Sequence, residues 1–198
     1  MGNRSNLIVG LTGGMGCGKT TAAAFFGDRG FIRVDSDALV HDLLLTNSEV
    51  VEAIRARFGE NVFAPDGTVQ RDRLGDVVFG DAAALAWLEE LLHTRLYAHW
   101  RKTFMAGSNQ SFIVEVPLLF EKGLENWFDF TVCVTTESDQ QLRRLERKGI
   151  PLELAKQRLA KQLPLAQKCE LADFVLLNDG SPDFLREQIN VLADRLLN

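Results

Sequence analysis

The spacing most suited to chemistry is Gly13-Gly14-Met15-Gly16-Cys17-Gly18-Lys19-Thr20, which satisfies G-x-x-x-x-G-K-[ST], a phosphate-binding loop. Its glycines let successive backbone N–H groups turn toward one centre, where a β-phosphate would sit among the amides of Gly14, Met15, Gly16, Cys17 and Gly18. Lys19 can reach the β- and γ-phosphates, Thr20 offers its hydroxyl to magnesium, and Thr21 follows at the helix start. Such a loop needs a strand before it and a helix after it. Leu7-Ile8-Val9-Gly10-Leu11 is short, apolar and β-branched, and the run from Thr20 to Asp28 is rich in helix formers. ATP, or another nucleoside triphosphate, is the ligand this pattern calls for. The phosphoryl acceptor stays open, because kinases, ATPases and GTPases share the loop.

Three further clusters follow apolar runs, where the carboxyl ends of parallel strands place ligands. Asp35 and Asp37 flank Ser36: one carboxylate could accept a proton from an acceptor hydroxyl while the other holds magnesium through water, although the same trio also suits a helix N-cap. Glu115 ends the run Phe112-Ile113-Val114 in the position of an acidic residue that assists a nucleotide-bound metal. Just beyond it, Pro117 to Phe120, Leu119 among them, would make an apolar wall for an acceptor or pack the core. The third cluster is cationic: Arg143, Arg144, Arg147, Lys148, Lys156, Arg158, Lys161 and Lys168. One or two of these are expected to stabilise a transferring phosphoryl group from a lid, and the rest to be solvated. Asn178, after the last strand-like run, is placed to touch an adenine.

The elements that must carry these groups alternate between strand and helix from end to end, the pattern of a parallel sheet covered by helices. Strands are expected at 30–35, 112–116, 130–134 and 173–177 besides the first. Helices are expected at 38–45, 49–58, about 82–105 behind an Asp81 N-cap, 140–148 and 183–197, the last turning Phe184, Ile189, Leu192 and Leu196 inward. Near-continuous apolar strands fit burial on both faces.

At 198 residues with 46% hydrophobic content the chain suits one α/β domain with an insertion. A net charge of -5 argues against nucleic acid as a partner. No apolar run spans a bilayer and the N-terminal MGNRSN lacks an apolar signal core, so no membrane partner and a cytoplasmic location are expected. His41, His93 and His99 lack metal spacing, and Cys17, Cys133 and Cys169 form neither a zinc site nor a disulfide framework. Beside Lys19 at a helix start, Cys17 is either a thiol of lowered pKa or simply a small loop residue.

Taken in order, GLTGGMGCGKTT at 10–21, VDSD at 34–37, RFG at 57–59, LLH at 91–93, VPLLFE at 116–121, Arg158 with Gln162, and ADFVLLNDG at 172–180 resemble the dephospho-coenzyme A kinase family across nearly the whole chain. The resemblance implies a P-loop NTPase-like α/β fold. A parallel five-stranded core would be formed by 1–48, 107–148 and 169–198, with a helical coenzyme A region at 49–106 and a lid at 149–168. It implies transfer of a phosphoryl group from MgATP to the 3′-hydroxyl of dephospho-coenzyme A; the sequence leaves the oligomeric state open, with a monomer favoured. Asp37 resembles the catalytic base, Lys19 and Thr20 the phosphate and metal residues, and Arg158 the lid arginine. Arg144 and Asn178 fall with the ATP contacts, Thr12, His93 and Leu119 with the acceptor, and Thr20, Asp35 and Glu115 with Mg2+. The chain departs from the family pattern at His41, where an arginine is usual, and at Thr94, Glu115 and Lys148. A shikimate-type or nucleotide kinase is the alternative on the same architecture. A GTP switch is disfavoured because N-K-x-D does not occur.

Overall fold

The computed structural model describes residues 6–107 and 109–197. The expected chain limits at 1 and 198 and the N-terminal stretch 1–5 lie outside the described residues. In chain order the elements are β1 (Leu7–Gly13), α1 (Lys19–Asp28), β2 (Ile32–Asp35), α2 (Ser36–Thr46), α3 (Ser48–Phe58), α4 (Arg71–Phe79), α5 (Ala82–Ala106) and β3 (Ser111–Glu115). They continue with β4 (Phe130–Thr135), α6 (Ser138–Arg147), α7 (Leu152–Ala160), α8 (Leu165–Leu171), β5 (Phe174–Leu177) and α9 (Pro182–Leu197). Two compact units result: one runs to Asp35 and resumes at Gly107, and the other is Ser36–Ala106.

In the first unit the five strands are all parallel, in the order β2-β3-β1-β4-β5. The chain leaves β1 toward one edge and leaves β3 toward the other, so the strand order reverses between β1 and β3. A crevice opens at their carboxyl ends, and the glycine loop and Glu115 both lie there. Burial on both faces explains the apolar strands: Val9, Leu11, Ile113, Val132 and Val134 are fully buried, packed with Phe26 of α1 and Leu185 and Ile189 of α9. Each such side chain contributes about 1.5–3 kcal/mol. At the β5 edge, the Leu177 N–H donates to Gln188 Oε1 at 2.9 Å and its carbonyl accepts from Gln188 Nε2 at 2.8 Å.

The second unit is helical, with Leu88 and Leu92 of α5 packed among Val50 and Ile54 of α3 and Leu74 and Val78 of α4. Side chains close the starts of α3 and α5. Asn47 Oδ1 accepts the Val50 N–H at 3.0 Å, and Asp81 Oδ1 accepts those of Ala83 at 2.8 Å and Ala84 at 3.3 Å.

Several expectations are corrected. The boundary falls after Asp35, so residues 36–48 leave the core and join the helical unit, where α2 packs on α3 and α5. Asp37 therefore sits in the first turn of α2. The expected lid stops short of 168, because α8 begins at Leu165 and packs on β4 and β1. Phe184 is exposed, and its neighbour Leu185 is the residue that turns inward.

Asp81→Ala should lower unfolding stability by about 1 kcal/mol, read as a lower urea midpoint at unchanged slope. An unchanged midpoint would rule out the cap.

Candidate active site

The glycine loop leads into α1 without a side-chain cap at the helix start. Gly18 precedes the helix in a left-handed conformation, φ 96°, no side chain caps the end, and the first turn carries no acidic residue. Such an end presents partial positive charge to an anion. A side chain at Gly18 would also collide with Asn178, whose Nδ2 donates to the Cys17 carbonyl at 2.7 Å. Arg144 reinforces this contact, donating to the Asn178 carbonyl at 2.8 Å and to the Cys17 carbonyl at 3.5 Å. Gln141, buried on α6, donates to the Met15 carbonyl at 2.7 Å. The loop is thus gripped by its carbonyls from behind. Lys19 Nζ lies across its mouth, 3.1 Å from the carbonyls of both Gly13 and Gly14.

At the start of α1, Thr20 Oγ1 donates to Glu115 Oε2 at 3.0 Å. Glu115 is in register with Asp35 on the neighbouring strand, and Arg33 lies 3.7 Å from its other oxygen. Only 6% of Glu115 is exposed, and burial holds its carboxyl above the usual carboxylate range. Thr20, Arg33 and Lys19 act the other way, while the Asp35 charge adds to the rise. No group of three His, Cys, Asp or Glu side chains fit to hold a metal forms among the described residues.

Between the loop and α6 and α7 lies a cleft of about 310 Å3 lined by Gly14, Ser138, Gln141, Lys156, Gln162 and Leu163 among others. Lys156 reaches this cleft, whereas Arg158 is exposed on α7 and is absent from its lining. A second recess, about 290 Å3, is walled by Gln140, Arg143, Arg144 and Arg147.

Of the expected site residues, the loop from Gly14 to Thr21, Asp35, Glu115, Arg144 and Asn178 fall around this crevice. Asp37 and His93 belong to the helical unit, where His93 stacks on Tyr97 at 5.7 Å. Two of the expected acceptor contacts do not reach the surface, and the structure decides between the two readings of Cys17. Leu119 is fully buried: an added Cβ at Gly10 would sit 2.8 Å from its Cδ1, so it faces the underside of β1 and offers no surface to an acceptor. Thr12 is fully buried too, its hydroxyl donating to the Pro117 carbonyl at 3.3 Å. Cys17 is a buried loop-filler. Burial pushes its thiol up and outweighs Lys19, which excludes the activated thiol. Asn178 is buried with its amide group spent on the loop carbonyl, so its side chain acts on the loop before any base. Lys168, grouped above with the solvated cations, is fully buried. Gln141 was missed. Its only signal is a polar residue on the buried side of α6, four positions before the apolar Leu145.

A family model described as dephospho-CoA kinase matches residues 7–183 of this chain. The chain belongs to the dephospho-CoA kinase family. Among curated members, the dephospho-CoA kinase of Synechococcus elongatus is 34% identical over 192 residues, covering 96% of this chain and 92% of its own length. That of Corynebacterium efficiens is 33% identical, with 96% of each covered. Among solved structures, TT1252 from Thermus thermophilus superposes with a TM-score of 0.85 at 32% identity over 96% of this chain and 98% of that one. Dephospho-CoA kinase from Campylobacter jejuni gives 0.71 at 26% identity, over 96% and 97%. A shikimate kinase from Acinetobacter baumannii, at 0.53 and 16% identity, shares the fold alone. In this dephospho-CoA kinase family member the P-loop kinase architecture expected from the sequence is present, with its five parallel strands flanked by helices.

Because the Glu115 carboxyl is held above its unfolded value, the folded protein binds that proton more tightly, and stability falls as pH rises above the ordinary carboxylate value, ~4.3. In magnesium-free buffer Glu115→Gln should therefore match the parent in Tm at low pH and exceed it progressively at higher pH. A difference in Tm that stays flat or reverses with pH would refute the assignment.

Proposed function

We propose that the protein transfers the γ-phosphoryl group of ATP to the ribose 3′-hydroxyl of dephospho-coenzyme A, giving coenzyme A and ADP. The observation that carries this reading is the open, rigidly backed loop at the β1/β3 crevice, with Lys19 at its mouth and the Thr20–Glu115 pair beside it, in a chain matched from 7 to 183 to this family. Phosphoryl transfer asks for positioning and charge stabilisation more than for covalent chemistry. The amides of α1 and the loop take the β-phosphate, and Lys19 exchanges its two carbonyl partners for β- and γ-phosphate oxygens. Arg144 serves the ATP side, Lys156 and Arg158 the lid.

Thr20 and Glu115, with Asp35 through water, would hold Mg2+; when bound, the ion neutralises charge on the β- and γ-phosphates. The buried Glu115 supports this, since a carboxylate in so dry a place is favoured by a nearby dication. Asp37, two residues beyond the carboxyl end of β2, accepts the proton of the attacking hydroxyl, and His93 contributes to the acceptor side. Part of the same reading is a monomer that works in the cytoplasm, with ATP and dephospho-coenzyme A as its ligands.

A coupled assay of ADP formation tests it: dephospho-coenzyme A should stimulate turnover, and AMP or shikimate should not. Stimulation by shikimate alone would give the enzyme to the other branch of this fold. Asp37→Asn should cut kcat by about 10²–10⁴-fold and leave the KM for MgATP within about twofold. Turnover near that of the parent would remove Asp37 from the role of base.

A further inference from the structure

Lys168 is fully buried on α8, whereas Lys156, Arg158 and Lys161 just before it in the chain are exposed. Its ammonium donates to the Pro117 carbonyl at 2.8 Å and lies 2.7 Å from Glu121 Oε1. The same Glu121 oxygen accepts the Leu163 N–H at 2.9 Å, at the point where the segment carrying α7 ends and α8 is about to begin. The Pro117 carbonyl in turn accepts the hydroxyl of Thr12, the residue before Gly13, and the next strand bond, Val116 N–H to the Leu11 carbonyl, measures 2.9 Å. Three segments thus converge on one buried ion pair: the root of the lid, the loop after β3 and the strand end that carries the phosphate loop.

Stability alone does not account for the pair. Glu121 Oε2 is buried with no hydrogen-bond partner, and an apolar pair of equal volume avoids the desolvation of two charges and the orphaned oxygen. Directional groups do what apolar ones cannot, which is to fix one register among the segments they join.

We propose that Lys168 and Glu121 are positioning residues for phosphoryl transfer: their ion pair fixes the root of the lid, and so the placement of its cations, against the strand end bearing the phosphate loop. The role rests on the kinase reading above. Neither residue touches the nucleotide; they act through Leu163 and Pro117. A displacement of about 1 Å in a positioning element can cost about 10²-fold in rate, whereas ATP affinity is set by loop amides and Lys19, which the pair does not contact.

The test compares the parent with Lys168→Met, Glu121→Gln and the double variant Lys168→Met/Glu121→Met, each assayed at the same interval below its own Tm. Lys168→Met is expected to lose about 10–100-fold in kcat while the KM for MgATP stays within about twofold. The double variant is expected to regain Tm without regaining kcat. Turnover within twofold of the parent in any folded variant lacking the pair overturns the proposal, as does a loss that appears equally in the KM for MgATP. Should Lys168→Met not fold, the other two variants decide by the same criterion. Amide hydrogen exchange over 152–163 separates this idea from the kinase reading, since it needs no substrate. Exchange there should quicken in the variants, and unchanged exchange overturns the latch even if the parent phosphorylates dephospho-coenzyme A as proposed.

Discussion

The first unit is organised around one constraint: α1 must begin without a side-chain cap, so that its start can face an anion. A helix start without a cap is destabilising by itself, and a loop of glycines has the most backbone freedom to lose. The protein offsets both from the far side, through the loop carbonyls. Asn178 and Arg144 hold Cys17, Gln141 holds Met15, and Lys19 bridges Gly13 and Gly14. Every one of these contacts engages a carbonyl of the loop and none of its N–H groups. Strand order then places Glu115 beside Thr20, so the phosphate loop and the buried carboxylate next to it arise from one reversal in the sheet.

Cationic residues of the 143–168 stretch illustrate how little charge alone says about role. Arg144 has become a strut under the loop, Lys156 lines the cleft beside Gly14, and Lys168 has left solvent altogether. All three look alike in composition. What separates them is which face of a helix each occupies and what the sheet puts opposite it.

That is also the limit of what could be read from the chain. The strands, the phosphate loop, the long α5 with its Asp81 cap and the alternation behind the parallel sheet were legible, because each is written in local periodicity or in residue types that bind their own neighbours. Glu115 was legible as the polar end of an apolar run. Leu119, Thr12 and Lys168 were misread because their fates depend on partners more than a hundred or about fifty residues away. The boundary after Asp35 was missed for a related reason: α2 continues directly from β2 without a turn signal, and only its packing on α3 and α5 assigns it to the helical unit.

One small contact at the margin of the sheet bears on how the protein behaves among its own copies. A border strand normally exhibits alternate N–H and C=O groups that another polypeptide can zip onto. Gln188 occupies both groups of Leu177 with its own amide, imitating a neighbouring backbone from a helix that cannot extend the ladder. Exposed Val175 and Leu177 would otherwise make this rim adhesive. A single glutamine thus closes the Leu177 end of the β5 ladder, where an incoming strand would otherwise find both a donor and an acceptor.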